Sequence, residues 1–82
     1  MAKGLSLKIV SPEQTYFDGL VTSVTLPGTM GSFTILPQHA PIVSSLKPGH
    51  LSYVTKDGEE CELEVQGGFV EMSNGNVSVC ID

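Results

Sequence analysis

The 82-residue chain contains no arginine and no tryptophan, and only four lysines stand against nine acidic residues. A surface that binds phosphate needs a basic stripe, and a chain of net charge −5 has none to build. Nucleic acids and acidic membrane surfaces are therefore poor candidates as partners. No apolar run approaches the eighteen or so residues of a membrane span, and direct membrane insertion is not expected. Met1-Ala2-Lys3-Gly4 leads straight into an alternating segment, so the start has no signal-peptide pattern. No window of helical length carries a 3.6-residue apolar stripe, and neither repeats nor low-complexity tracts occur.

What is present is short alternation broken by turn residues. Leu5, Leu7 and Ile9 alternate with Ser6 and Lys8, a strand with one face in a core. Ser11-Pro12 ends it, and 13–18 reads as a polar connection carrying Tyr16 and Phe17. The next strand, 19–26, buries Leu20, Val24 and Leu26 or their neighbours. Its parity is blurred at Leu20-Val21, the mark of a bulge. Phe33 and Ile35 share one face of a short strand that Pro37 stops. Residues 42–46 read as a further short strand or an irregular edge. Pro48 and Gly49 suit the centre of a type II turn before a strand at 51–55.

Asp57-Gly58 and Asn74-Gly75 are hairpin signals, since tight hairpins require positive φ angles. Between them, Cys61, Leu63 and Val65 alternate with Glu60, Glu62 and Glu64, and Gly67-Gly68 permits a corner. Val77, Val79 and Ile81 then share a face that Cys80 does not. About eight to ten short strands in so small a chain predict an all-β fold, a two-sheet β-sandwich or flattened barrel. One domain, 1–82, is expected, burying roughly 60–65% of its unfolded surface.

Reaction chemistry is poorly represented. The two cysteines lie in separate strands with opposite parity, which suits two reduced, partly buried thiols in a reducing compartment. His39 is flanked by Gln38 and prolines, and His50 follows Gly49, so each reads as a structural or contact histidine. Gly28-Thr29-Met30-Gly31 lacks the lysine and following helix of a phosphate loop. Ser32, Ser44 and Ser45 have no adjacent base and no G-x-S-x-G elbow. Glu60, Glu62 and Glu64 would splay about 7 Å apart along a strand face, better suited to solvent and to discouraging edge aggregation than to a divalent cation. Asn76-Val77-Ser78 is a glycosylation sequon without a secretory signal to give it meaning. No catalytic residue, cofactor or metal is expected.

The chain centres on residues 26–41, where three prolines, two glycines and His39 shape a stiff, weakly charged protrusion. Such a segment suits docking better than catalysis. From the residues alone, the reading is a β-sandwich binding module with an unnamed partner.

The run LPGTMGSFTILPQHAPIVSSLKPG, from Leu26 to Gly49, resembles the ε subunit of F-type ATP synthases, whose mitochondrial counterpart is called δ. Ile9-Val10-Ser11-Pro12-Glu13, Phe17-Asp18-Gly19, Gln66-Gly67-Gly68-Phe69-Val70-Glu71 and Asn76-Val77-Ser78-Val79 extend the likeness in order along the chain. The resemblance implies the N-terminal β-sandwich of a non-catalytic central-stalk subunit. In that family it lies beside the γ subunit and rests on the polar loops of the c-ring. It carries rotation driven by proton or sodium flow toward ATP synthesis. A peripheral place at the cytoplasmic face of a bacterial inner membrane follows.

Carried over by position, Thr29, Met30, Gly31 and Ser32, with Gln38, His39, Ala40, Pro41 and Ser44, match the c-ring-facing end. Ser32 stands where the family often has an acidic residue, so ring contact here is expected to rest on hydrogen bonding and shape. The γ-facing side is expected on the surface of one sheet. Family members commonly continue into two C-terminal helices that inhibit hydrolysis and in some cases bind ATP. Ending at Asp82, the chain as given is expected to have neither function. Two alternatives remain open on the residues. One is an unrelated β-sandwich adaptor. The other is a small enzyme or metal protein, which requires His39 to converge with the Glu60, Glu62 and Glu64 face.

Overall fold

The computed structural model describes residues 4–82, which form eight strands and no helix. They are β1 (Leu5–Val10), β2 (Thr15–Gly28), β3 (Gly31–Ile35), β4 (Ile42–Leu46), β5 (Gly49–Thr55), β6 (Glu60–Val65), β7 (Gly68–Ser73) and β8 (Asn76–Ile81). The expected β-sandwich is present, with its two sheets sharing β2. The first half of β2 pairs with β1, and the layer continues through β8 and β7 to β4. The second half runs between β3 and β5, with β6 at the far edge. Only β1 and β8 are parallel.

A bulge lets one strand serve both layers. Val21 pairs with Thr55 and Ser23 with Val54, so Thr22 is the extra residue. Before it, Phe17, Gly19 and Val21 point inward; after it, Val24, Leu26 and Gly28 do. The blurred parity at Leu20-Val21 therefore marked a real irregularity, but Val21 is buried and Leu20 is exposed. The inserted residue switches the face presented to the core and bends the strand across the sandwich.

Two further expectations are corrected. Residues 15–18 are not a loop: β2 begins at Thr15, and Phe17 lies opposite Ile9. The preceding turn is instead closed by Ser11, whose Oγ accepts from the amides of Glu13 (3.2 Å) and Gln14 (3.3 Å). Pro48 and Gly49 do not centre a type II turn, because Gly49 lacks the positive φ that turn requires and already belongs to β5. Close packing makes a small residue useful there, since a Cβ on Gly49 would stand 3.1 Å from Pro27 Cβ.

Both signalled hairpins form, with positive φ at both Asn74 and Gly75 but only at Gly58 of the Asp57-Gly58 pair. Asn74 (φ 52°) and Gly75 (φ 77°) occupy the two left-handed positions of the turn between β7 and β8. Gly58 (φ 89°) closes the β5–β6 turn, its amide 2.8 Å from the carbonyl of Thr55. The 42–46 segment is a regular strand, paired along its length with β7.

Leu5, Leu7, Ile9, Val21, Val24, Leu26, Ile35, Leu51, Val70 and Val79 lose all solvent contact between the layers. No polar or charged side chain is buried among the described residues. Cohesion is thus hydrophobic, at roughly 1.5–3 kcal/mol per fully buried aliphatic side chain. At the C-terminal end of β2, Gly28 pairs with Leu46 and joins β4 back to β2. The amide of Thr29 donates to Ser45 O (3.1 Å), and that of Lys47 to Pro27 O (2.9 Å). The sandwich is therefore tied at the base of the β2–β3 turn, which stiffens whatever that turn carries.

Candidate docking surfaces

Residues 19–46, covering most of β2 and all of β3 and β4, carry no Asp, Glu, Lys or Arg. From this segment the two-residue turn Thr29-Met30 projects. Thr29 is anchored twice, through its amide and through Oγ1, which lies 3.0 Å from Ser45 Oγ. Gly28, just before it, cannot carry a side chain freely: a Cβ would stand 2.7 Å from Phe33 Cε1 and 2.8 Å from Gly31 O. Gly31 leaves the turn with φ 131°, and Ser32 faces solvent opposite Pro27. Met30 has no such tether and is 99% exposed. The result is a rigid base under a free apolar tip.

Gln38, His39 and Ala40 lie elsewhere. β3 and β4 both start from Gly28, through Gly31 and Leu46, and the 36–41 loop joins their other ends. Four residue steps separate the loop from the Met30 turn on each strand, roughly 13 Å. The loop is itself ordered: the His39 amide reaches Leu36 O (3.1 Å), with Pro37 and Gln38 at the turn's centre and Gln38 at φ 71°. That is a type II turn with glutamine in the position glycine usually fills. His39 Nδ1 donates to Ala40 O at 2.7 Å. Leu5, Pro37, His39, Met72 and Asn74 line an open groove of about 430 Å³ here. Ser44 lies midway along β4, half-buried, its Oγ donating to Ser45 O (3.1 Å). The carried-over residues thus follow one edge of the sandwich, at two stations, with Ser44 between them.

The outer faces of the two layers differ. On the β1–β8–β7–β4 layer, Val10 lies opposite Cys80, Cys80 opposite Phe69 and Phe69 opposite Ser45. Val43, 73% exposed, and Phe69, 49% exposed, extend an apolar strip across it. Val10, Pro12, Phe69, Cys80 and Ile81 line a groove of about 360 Å³ at its end. Sequence reading missed this strip as a site, although outward-facing Val, Phe and Cys in otherwise polar parity positions were its signal. The other layer shows Ser23, Thr25, Ser52, Glu60 and Glu62 along a groove of about 400 Å³.

The acidic strand does not meet His39. Glu60, Glu62 and Glu64 lie exposed on edge strand β6, whereas His39 sits against Asn74 and Gly75 beside the β7–β8 turn. Among the described residues no group of three or more His, Cys, Asp or Glu side chains could hold a metal ion. Cys61 and Cys80 are free thiols. Tyr53 packs against Phe17 with the rings tilted by 46° and their centroids 4.5 Å apart, and partial burial, then Cys61 and Glu59, push its phenol above the usual 10.0.

Known proteins share this fold. The chain is 40% identical over 79 residues to the ATP synthase epsilon chain of Paracoccus denitrificans (strain Pd 1222), covering 96% of this chain and 53% of that protein. Its fold matches a chain of the Euglena gracilis mitochondrial ATP synthase, resolved with OSCP, F1 and c-ring, with TM-score 0.91 and 20% identity over 99% of this chain and 52% of the other. A chain of the Tetrahymena thermophila mitochondrial ATP synthase central stalk and c-ring matches with TM-score 0.77 and 18% identity, covering 98% and 64%. The chain spans about half the length of the curated relative it matches. A family model described as the ATP synthase delta/epsilon chain β-sandwich domain matches residues 4–82, and the chain belongs to that family.

Proposed function

We propose that this domain is a non-catalytic rotor element of a proton- or sodium-driven F-type ATP synthase, joining the γ subunit to the c-ring. The observation that carries this reading is the 40% identity to the Paracoccus epsilon chain, which extends over 96% of this chain. The fold is consistent with the task. A torque coupler must not deform between its contacts, and a wholly apolar core tied at Gly28 and Leu46 resists shear.

The contacts are assigned to two surfaces. The c-ring's polar loops meet the β3–β4 edge through Thr29, Met30, Gly31 and Ser32, with Gln38, His39, Ala40 and Ser44. The γ subunit meets the apolar strip Val10, Cys80, Phe69 and Val43, because the opposite layer offers hydroxyls and carboxylates instead. Through these partners the domain sits peripherally at a membrane, on the cytoplasmic face in a bacterium.

Native mass spectrometry of the chain mixed with its own organism's γ subunit tests the assignment. A one-to-one complex is expected, weakened by Phe69→Glu and by Val43→Glu but not by Glu62→Lys. Thermal unfolding controls for the fold of each variant. No complex with both proteins folded overturns the stalk reading, and loss only with Glu62→Lys moves γ to the other face.

A further inference from the structure

We propose that the free edge of β6 is a third docking surface, which takes an extended peptide segment with lysine or arginine at alternate positions as one more strand of its layer. The inference goes beyond the rotor reading, whose two contacts use the β3–β4 edge and the outer face of the opposite layer. Among the described residues β6 pairs with β5 alone and ends its layer. The register with β5 runs from Val54–Glu60 to Gly49–Val65 without a shift, so no bulge twists this edge away. The Thr55 amide donates to Glu59 O (2.8 Å), which sets the alternation of the ladder. Tyr53–Cys61, Leu51–Leu63 and Gly49–Val65 are then the hydrogen-bonded pairs. The backbone amides and carbonyls of Glu60, Glu62 and Glu64 therefore point away from β5, to the side where a further strand would lie.

Two features select the occupant. The side chains of Glu60, Glu62 and Glu64 are exposed on one face of the edge, and the residues opposite them on β5 are Val54, Ser52 and His50, none of them lysine or arginine. On the other face Cys61 and Leu63 are only half-buried, whereas Leu51, opposite Leu63 on β5, loses all solvent contact. A strand with cations on one face and apolar side chains on the other answers both. Directly opposed residues share a face, so each lysine or arginine meets a glutamate, and the alternate apolar residues cover Cys61 and Leu63. A second copy of this chain is the wrong occupant, because pairing β6 with itself through this edge sets carboxylate against carboxylate. The row that blocks self-association thus admits a basic strand.

The probe is a short, end-capped synthetic peptide that alternates lysine with valine, added to the whole chain. Amide hydrogen exchange followed by NMR should slow about tenfold or more at Glu60, Glu62 and Glu64, whose N–H groups gain partners, and change little at Cys61 and Leu63, already bonded to β5. Isothermal titration calorimetry gives the affinity. Glu60→Gln, Glu62→Gln and Glu64→Gln together should weaken binding about tenfold, with an unchanged Tm as the control for folding. High salt should weaken the wild-type complex more than that of the triple variant. A copy of the peptide N-methylated at its lysine amides keeps its charge but cannot complete the ladder, and it should lose binding. No binding of the basic peptide, or equal binding by the triple variant, overturns the proposal. Equal binding of the N-methylated copy reduces the contact to charge attraction and overturns strand addition. Protection at other amides in place of these three puts the peptide elsewhere and likewise overturns it. Each of these failures leaves the rotor reading, tested on γ, untouched.

Discussion

Replacing Gly28 with alanine tests whether the docking turn and the core are one mechanical unit. The added Cβ would meet Phe33 at 2.7 Å (Cε1) and 2.9 Å (Cδ1), and Gly31 O at 2.8 Å. The ring can retreat only by leaving its place against the core, and the carbonyl belongs to the backbone that leaves the turn. Overpacking of this kind costs about 1–3 kcal/mol. Gly28 has no positive φ, so alanine is allowed on the backbone, and the lost freedom of the unfolded chain offsets about 0.4–1 kcal/mol. The net destabilisation expected is about 1–2 kcal/mol. In a domain of this size that lowers Tm by about 5–15 °C.

Differential scanning calorimetry measures the shift, and a cycle with Phe33→Leu locates its origin. Trimming the ring should relieve part of the strain, so the double variant should lose less than the sum of the singles. A Gly28→Ala protein as stable as wild type would refute the packing argument. Strict additivity with Phe33→Leu would place the cost elsewhere than on the ring.

Two further predictions concern the turns and the perturbed phenol. Asn74→Ala should cost about 1 kcal/mol, read as a lower urea midpoint at unchanged m, because alanine tolerates the left-handed φ of 52° less well than asparagine. Tyr53 is harder to ionise in the fold than in the unfolded chain, first because partial burial strips some of its water and then because of Cys61 and Glu59. Its contribution is therefore fully present below pH 10 and lost as pH rises through the folded pKa. Urea titrations between pH 9 and 11 should show stability falling with pH, and Tyr53→Phe should flatten that fall; an equal slope in the variant would contradict the assignment.

Local chemistry made much of this molecule legible. Asn74-Gly75 specifies its hairpin because few residue pairs accept two left-handed positions in a row, and Gly58 marks the β5–β6 turn by a single one. Leu5, Leu7 and Ile9, or Val77, Val79 and Ile81, declare an inward face because the strand period is two. Those signals, with the ordered likeness from Ile9 to Val79, were enough for an all-β sandwich and its family. The docking surfaces were less legible. The stiffness of the Met30 turn comes from Ser45, sixteen residues away from Thr29, and no local pattern announces that hydrogen bond. Nor does a sequence say that Gln38 takes a glycine-like angle, which the Leu36–His39 hydrogen bond imposes.

The sequence by itself determined periodicity, turn positions and the near-absence of charge along the central edge, since these follow from residue type and spacing. Only the tertiary structure decided which neighbours share a surface. The bulge at Thr22 buries Val21 and exposes Leu20, Gly49 is small because Pro27 lies against it, and Val10, Cys80 and Phe69 form a strip only once β1, β8 and β7 are in register. The physical reason is that a strand's alternation specifies in and out, whereas side-by-side contact depends on register between strands distant in sequence.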